Sequence, residues 1–305
     1  MNEYLLKTYD LTKQYGHMKA VNQINLHLKK GAIYGLIGRN GAGKTTFLKL
    51  ISGLAAPTSG EIELFGYRKA ELRYVRSRIG CLIEEPGLYK TMTAKENLRI
   101  KCKLFGIDDA NYIEKLLRTV GLADTGKKQV KNFSLGMKQR LGIALALIGE
   151  PDLLILDEPI NGLDPQGIAE IRETLLRLNE EQQITILISS HILEELEKLV
   201  THYGIIHHGT LIQELTKEEL LQRCSERIEL ILDEPRTAIP ILDQMNFTNY
   251  EVVDESRIHI YERLDESGTI TMELSKHGIL IRSISVQSQK LESYFLNLTR
   301  GAAHV

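Results

Sequence analysis

Two short stretches of the chain combine residue types that could bind a nucleotide and cleave its terminal phosphate. The first, GRNGAGKTT, has the spacing G-x-x-x-x-G-K-T. Its glycines let backbone N–H groups face phosphate oxygens, Lys44 adds a positive charge, and the Thr45 hydroxyl suits Mg²⁺. A helix starting there would add its dipole. A glycine-rich turn that only caps a helix is the alternative, but the pattern favours a nucleotide-binding loop made of Gly38, Arg39, Asn40, Gly41, Ala42, Gly43, Lys44, Thr45 and Thr46.

The second stretch is an apolar run that ends in two acids, LLILDEP (Leu153–Pro159). Ligands of open parallel sheets bind at the carboxyl ends of strands, so we expect these acids beside the nucleotide-binding loop, which is called the phosphate loop below. Asp157 would then hold Mg²⁺, and Glu158 would polarise the attacking water as catalytic base. Alone, the run could equally be an ordinary strand end. Its occurrence with the glycine-rich loop favours chemistry.

Strand and helix patterns place both stretches in an α/β fold. The apolar run before Gly38 predicts a strand buried on both faces, as in a parallel sheet covered by helices. From about Thr93 to Gly149 the pattern is helical and opens with the capping box TAKE (Thr93–Glu96). We therefore predict a mostly parallel core with an antiparallel β region and an inserted helical subdomain at about residues 85–150.

The last part of the chain predicts a separate α+β domain, so the expected domains are residues 1–224 and 225–305. Its first six elements follow the order β-α-β-β-α-β, which is ferredoxin-like. In chain order the predicted elements are Ile228–Leu232, Thr237–Met245, Tyr250–Val253, Arg257–Tyr261, Thr269–His277 and Ile279–Ser285, followed by a helix over Leu291–Leu298.

Composition excludes several classes of protein. With 305 residues, 43% hydrophobic and 26% charged, the chain can form two domains with real cores. A net charge of −2 predicts no nucleic-acid partner. The three scattered cysteines suit a reducing compartment rather than a disulfide framework. The first residues do not resemble a signal peptide, and no apolar run approaches the ~18 residues that cross a bilayer. Any membrane role is therefore expected to need a partner.

A longer segment, FSLGMKQRLGIALALIGEPDLLILDEPINGLDP, closely resembles the core of ABC-type ATPases. Its FSLGM (Phe133–Met137) aligns with the family's L-S-G-G-Q signature, and Asp164 in NGLDP aligns with the D-loop. His191 in ISSH is similar to the family's switch histidine, and Tyr15 to the aromatic residue that stacks on adenine. These matches extend from about Tyr4 to Leu215 in the family's order. The resemblance implies a P-loop ABC ATPase domain.

The resemblance also implies partners and further site residues. In the family, two ATPase domains pair head to tail, and each ATP lies between one phosphate loop and the other subunit's signature. Ser134 and the N–H of Gly136 would therefore bind the γ-phosphate across the interface. His191 would contact it beside Glu158, while Lys44 holds the phosphates. One copy of each motif implies a second ATPase subunit, most simply in a homodimer. The resemblance also implies integral membrane permease subunits, which would hold the ATPase at the cytoplasmic face of the membrane.

Two departures from the family pattern affect this interpretation. Leu135 and Met137 replace a glycine and the glutamine of the signature, although Ser134 and Gly136 are retained. In IGCLIE, Glu84 stands where the family has a glutamine that ligates Mg²⁺ and leads into the segment that docks on the membrane subunit. A carboxylate suits Mg²⁺, but it could also act as a weak competing base. The adjacent Glu85 has no counterpart, and we expect it to face solvent.

Two further segments are similar to one subgroup of the family. IEEPGLYKTMTAKENL and FSLGMKQRLGIALAL resemble ATP-binding subunits of bacitracin-resistance and lantibiotic-immunity exporters, and the tail segment Ile284–Thr299 resembles the end of such drug-exporter subunits. This resemblance implies export of a peptide antibiotic. The alternatives are a soluble ABC protein acting on ribosomes or nucleic acid, a subunit that transports or imports another substrate, and a small-molecule kinase with a P-loop.

Overall fold

The computed structural model describes residues 3–287 and 291–301, which form two compact units divided after Lys217. The second unit is Glu218–Leu298, and helix α8 (Lys217–Cys224) begins at the division. The elements of the first unit are β1 (Tyr4–Tyr15), β2 (Met18–Ile24), β3 (His27–Lys29), β4 (Ile33–Ile37), α1 (Lys44–Ser52), β5 (Ser59–Leu64), β6 (Tyr67–Arg68), α2 (Leu72–Val75), β7 (Ile79–Leu82), α3 (Ala94–Leu104), α4 (Ala110–Thr119), α5 (Leu135–Ala146), β8 (Leu153–Asp157), α6 (Pro165–Gln182), β9 (Thr185–Ser190), α7 (Leu193–Glu197), β10 (His202–His207) and β11 (Thr210–Thr216).

A six-stranded sheet forms the centre of the first unit. Its strand order is β11-β10-β4-β9-β8-β7, and every neighbouring pair is parallel except the edge pair β10–β11. All residues of β4, β8 and β9 are buried, which explains why apolar residues predominate in these strands without a polar alternation. The predicted parallel core is therefore confirmed, and the carboxyl ends of these three strands lie side by side.

An antiparallel sheet of β2, β1, β5 and β6, with β3 also paired to β1, forms the rest of the β structure in this unit. The helices α3, α4 and α5 lie between β7 and β8 in the chain, as the helical pattern predicts. Thr93 caps α3 by accepting the N–H of Glu96, whose carboxylate accepts the N–H of Thr93 in return. This capping box fixes the start of the helical insertion.

The second unit has the predicted β-α-β-β-α-β order. Its elements are β12 (Arg227–Leu232), α9 (Pro235–Gln244), β13 (Tyr250–Val252), β14 (Arg257–Ile260), α10 (Ser267–Lys276) and β15 (Ile281–Gln287), with α11 (Leu291–Gly301) following. The four strands form an antiparallel sheet in the order β13-β14-β12-β15, the ferredoxin-like arrangement. Its own apolar core includes Leu230, Phe247 and Ile270, all buried.

The last strand of this sheet begins two residues later than predicted. Gly278 adopts φ +74° after α10, and the N–H groups of Gly278 and Ile279 donate to the carbonyls of Ser275 and Leu274. These two bonds close the helix in a Schellman motif, so Ile279 belongs to the helix end rather than to the strand. Within the predicted tail segment Ile284–Thr299, residues 288–290 lie outside the described residues.

Candidate active site

The glycine-rich loop connects β4 to α1, and its backbone explains the glycines. Gly41 and Gly43 have φ values of +81° and +107°, a region that glycine adopts without strain. A Cβ atom at Gly43 would lie 2.3 Å from the backbone oxygen of Ala20, so no other residue fits there. Gly38, Arg39, Asn40 and Ala42 complete the loop, and Thr46 lies in the first turn of α1.

Lys44, the first residue of α1, is 5% exposed and points back into the loop. Its ammonium group donates to the carbonyl oxygens of Gly38 at 2.7 Å and Arg39 at 3.3 Å. It also forms an ion pair with Glu158 Oε1 at 3.0 Å. A buried cation requires such partners, because desolvation penalises an unpaired charge.

Asp157, the last residue of β8, has a hydroxyl on each carboxylate oxygen. Thr45 Oγ1 donates to Asp157 Oδ2 at 2.7 Å, which joins the start of α1 to the end of β8. Ser189 Oγ donates to Asp157 Oδ1 at 2.6 Å from the adjacent strand β9. Asp157 is 7% exposed. No motif or spacing in the sequence distinguishes Ser189 from the adjacent Ser190.

Glu158 lies between a cation and an imidazole. Besides Lys44, its carboxylate contacts His191 Nδ1 at 2.5 Å. Its backbone has φ +48°, the left-handed region that non-glycine residues rarely adopt, and its N–H is bound by Ser189. Such a conformation costs free energy and turns the side chain away from the direction of β8. The structure thus brings together Lys44, Thr45, Asp157, Glu158 and His191.

The signature and D-loop residues form a second group, at the beginnings of α5 and α6. Ser134 and Asp164 are the N-caps of these helices and accept the N–H groups of Met137 at 3.2 Å and Gly167 at 3.1 Å. Gly136 lies against Gly167, with an added Cβ 3.8 Å from its Cα. Among the described residues, no hydrogen bond or ion pair joins this group to Lys44 or Glu158 of the same chain.

Tyr15 and Glu84 also lie apart from the cluster formed by Lys44, Thr45, Asp157, Glu158 and His191. The Tyr15 ring, at the end of β1, is 49% exposed and has the Lys13 ammonium 4.9 Å from its centroid. Glu84 follows β7 with φ +63°, and its exposed carboxylate forms an ion pair with Lys49 of α1 at 2.6 Å. It therefore contacts the helix that begins at the phosphate loop, rather than the Thr45–Asp157 pair.

Thr45 and Asp157 suit Mg²⁺. Mg²⁺ prefers hard oxygen ligands and is usually held by one or two carboxylates, waters and substrate phosphates rather than by a complete protein cage. The Thr45 hydroxyl and the Asp157 carboxylate lie 2.7 Å apart at the beginning of the helix where phosphates would bind. The donor set thus fits a metal ion shared with a nucleotide.

A glycine-rich loop that opens a helix, a buried lysine within it and an adjacent acid pair define a P-loop nucleotide-binding protein. The family model for the ABC transporter matches residues 21–161. The chain is 46% identical over 300 residues to the bacitracin transport ATP-binding protein BcrA of Bacillus licheniformis, covering 97% of this chain and 98% of that protein. It is 48% identical over 210 residues to the lantibiotic transport ATP-binding protein SrtF of Streptococcus pyogenes, covering 69% and 90%.

Solved structures agree with this similarity. A dimeric ATP-binding cassette in a post-hydrolysis state, bound to ADP and Pi, matches with a TM-score of 0.63 at 25% identity, covering 70% of this chain and 98% of that one. The chain therefore belongs to the ABC transporter family and is an ATP-hydrolysing subunit whose activity is coupled to transport. Within the described residues, no helix has both the length and the apolar character needed to span a bilayer.

Proposed function

We propose that this chain is the ATPase of an exporter for peptide antibiotics, acting as a homodimer at the cytoplasmic face of the membrane with permease subunits. The observation that carries the catalytic part is the Glu158 carboxylate held between Lys44 and His191. Lys44 contacts one oxygen of this carboxylate and His191 the other, and a cation and an imidazole that converge on one anionic group are also suited to a γ-phosphate. Glu158 beside them is placed to accept a proton from water.

The other residues have separate roles in this proposal. The loop amides, the start of α1 and Lys44 hold the phosphates, and Tyr15 stacks on the adenine. Thr45 and Asp157 hold Mg²⁺, which neutralises phosphate charge when bound. The partner subunit's copies of Ser134, Gly136 and Asp164 complete each site, since no described contact joins these residues to the cluster of their own chain. Glu84 acts at the junction between α1 and the permease-docking segment.

A groove beside Glu84 supports the proposal of a docked permease. This cavity of about 350 Å³ has mainly apolar walls, including Leu82, Ile83 and Leu104, and Tyr89 lines it with half of its surface exposed. The wall also contains Lys101, and burial lowers the pKa of this ammonium group. Because Glu85 lines the groove as well as Lys101, a partner segment with mainly apolar side chains would match these walls.

The antibiotic substrate is proposed from the relatives. Similarity to the bacitracin protein extends over 97% of the chain, whereas similarity to the lantibiotic protein covers 69%, a length close to that of the first unit alone. Bacitracin-type peptides are therefore the first substrates to test.

The experiment is co-expression with the candidate permease in a sensitive bacterium, followed by co-purification and growth assays with bacitracin and a lantibiotic. With the native chain we expect a stable complex and several-fold higher resistance. The Glu158→Gln variant should not raise resistance. A chain that binds no membrane subunit and leaves sensitivity unchanged would exclude the exporter. Resistance to the lantibiotic alone would reassign the substrate.

A further inference from the structure

Ser189 is a fully buried polar residue in the central sheet, and its hydroxyl contacts both acids of the site. It is the penultimate residue of β9 and lies between β4 and β8, opposite Leu36 and Asp157. Its Oγ donates to Asp157 Oδ1 at 2.6 Å and accepts the backbone N–H of Glu158 at 3.0 Å. A serine hydroxyl has one donor and two acceptor positions, so both bonds can form at once.

The first bond determines how the Asp157 carboxylate is turned. The terminal torsion of aspartate is broad, so a single hydroxyl from Thr45 would leave the group free to rock about that contact. With Ser189 on the other oxygen, the plane of the carboxylate is held from two sides. One acceptor position on each oxygen remains for a water molecule or a metal ion.

The second bond holds the backbone of Glu158. This N–H is shared between the carbonyl oxygen of Ser189 at 3.2 Å and its hydroxyl at 3.0 Å. Glu158 needs such support because its φ of +48° is unfavourable for a residue with a side chain. Ser189 therefore stabilises the backbone geometry that turns the Glu158 carboxylate toward Lys44 and His191.

A buried serine with satisfied hydrogen bonds often has only a structural role, but the neighbouring Ser190 shows the difference. Ser190 is also buried, yet among the residues that the structure describes its hydroxyl bonds only the backbone N–H and carbonyl of Ile192. The other residues of β9 are Thr185, Ile186, Leu187 and Ile188. A further apolar residue at position 189 would suit this strand, whereas a hydroxyl there must find partners, and both partners belong to the acid pair.

We propose that Ser189 is a positioning residue for ATP hydrolysis, orienting Asp157 toward Mg²⁺ and Glu158 toward the attacking water through one hydroxyl. The inference rests on the roles proposed above for these two acids. Groups that orient a metal ligand commonly change metal affinity or activity on the order of 10–100-fold when removed. The effect should therefore appear in Mg²⁺ dependence as well as in turnover.

The test compares Ser189→Thr with Ser189→Val in the full chain. Threonine and valine have nearly the same size and shape, and valine has a methyl group where threonine has its hydroxyl. Any crowding in the sheet is therefore nearly the same in both variants. We expect Ser189→Val to have a kcat at least about tenfold below that of Ser189→Thr. Ser190→Ala is the control for loss of a buried hydroxyl in the same strand, and its kcat should remain near that of the native chain.

A second measurement does not depend on turnover. Each variant is combined with Glu158→Gln, and binding of a fluorescent ATP analogue is followed during a Mg²⁺ titration. The half-saturating Mg²⁺ concentration should be roughly tenfold or more higher for Ser189→Val than for Ser189→Thr, with equal binding in EDTA. Equal Mg²⁺ curves and equal kcat for the pair would overturn the role of Ser189. If Glu158→Gln alone leaves hydrolysis intact, the proposed base is wrong instead.

Discussion

Replacing Glu158 by glutamine removes the negative charge between Lys44 and His191 and keeps the length of the side chain. Lys44 is 5% exposed and its 3.0 Å contact with Glu158 is hardly screened by solvent. A hydrogen bond to a charged group contributes about 1.5–3 kcal/mol, and the glutamine amide can keep part of this bond but loses the attraction between opposite charges. We therefore expect Glu158→Gln to lower the free energy of unfolding by about 1–2 kcal/mol.

For a unit of this size that loss corresponds to a fall in Tm of roughly 2–8 °C. ATP should restore the stability, because its phosphate supplies a new anion for Lys44. The increase in Tm caused by ATP should then be larger in Glu158→Gln than in the native chain. Turnover should fall on the order of 10²–10⁴-fold, the usual contribution of a general base.

Thermal unfolding with and without ATP, in EDTA, measures the first effect, and phosphate release measures the second. Glu173→Gln is the matched control, since Glu173 is an exposed residue of α6 and should change neither quantity. Undiminished phosphate release in Glu158→Gln would remove Glu158 from its role as base. An unchanged Tm with an unchanged response to ATP would show that the ion pair with Lys44 does not stabilise the chain.

Two further pairs of substitutions test the phosphate loop and the contact between Glu84 and Lys49. Gly43→Ala should weaken ATP binding at least about tenfold, because the new methyl group meets a backbone oxygen at 2.3 Å. Gly41→Ala, which has open space around the new methyl group, should weaken ATP binding less. Equilibrium ATP binding measures both variants, and the reverse order of affinities would contradict this prediction. Glu84→Gln and Lys49→Met should each lower antibiotic resistance more than they lower ATP hydrolysis by the purified subunit. The reason is that the ion pair between Glu84 and Lys49 joins α1 to the chain after β7 that lines the groove. Equal losses of resistance and hydrolysis would count against that role.

The phosphate loop was predictable because its chemistry is contiguous in sequence. The glycines lie between β4 and α1, and Lys44 and Thr45 are the first two residues of α1, so spacing alone specifies their relation. Predicting that Asp157 and Glu158 lie beside this loop required one more step, namely that parallel strands end at the same edge of a sheet. The register of β8 and β9 confirms this step.

Ser189 could not be identified in this way, because its role depends on which strand lies beside β8. The sequence ISSH offers two adjacent serines, and only the pairing of Asp157 with Ser189 distinguishes them. The contact of Glu84 with Lys49 likewise depends on how β7 lies against α1. Alignment with a glutamine position predicts a role for Glu84 but does not specify where its side chain points.

The close packing of the three strands β4, β8 and β9 limits which parts of the molecule can move during the ATPase cycle. β4, β8 and β9 are adjacent, parallel and buried along their whole lengths, and they are joined by hydrogen bonds in continuous register. Interiors packed this closely do not deform gradually. The ends of these strands, with Asp157 and Ser189 on them, should therefore move as one rigid body. Under the proposed function, the movements that drive transport must then arise in segments outside these strands.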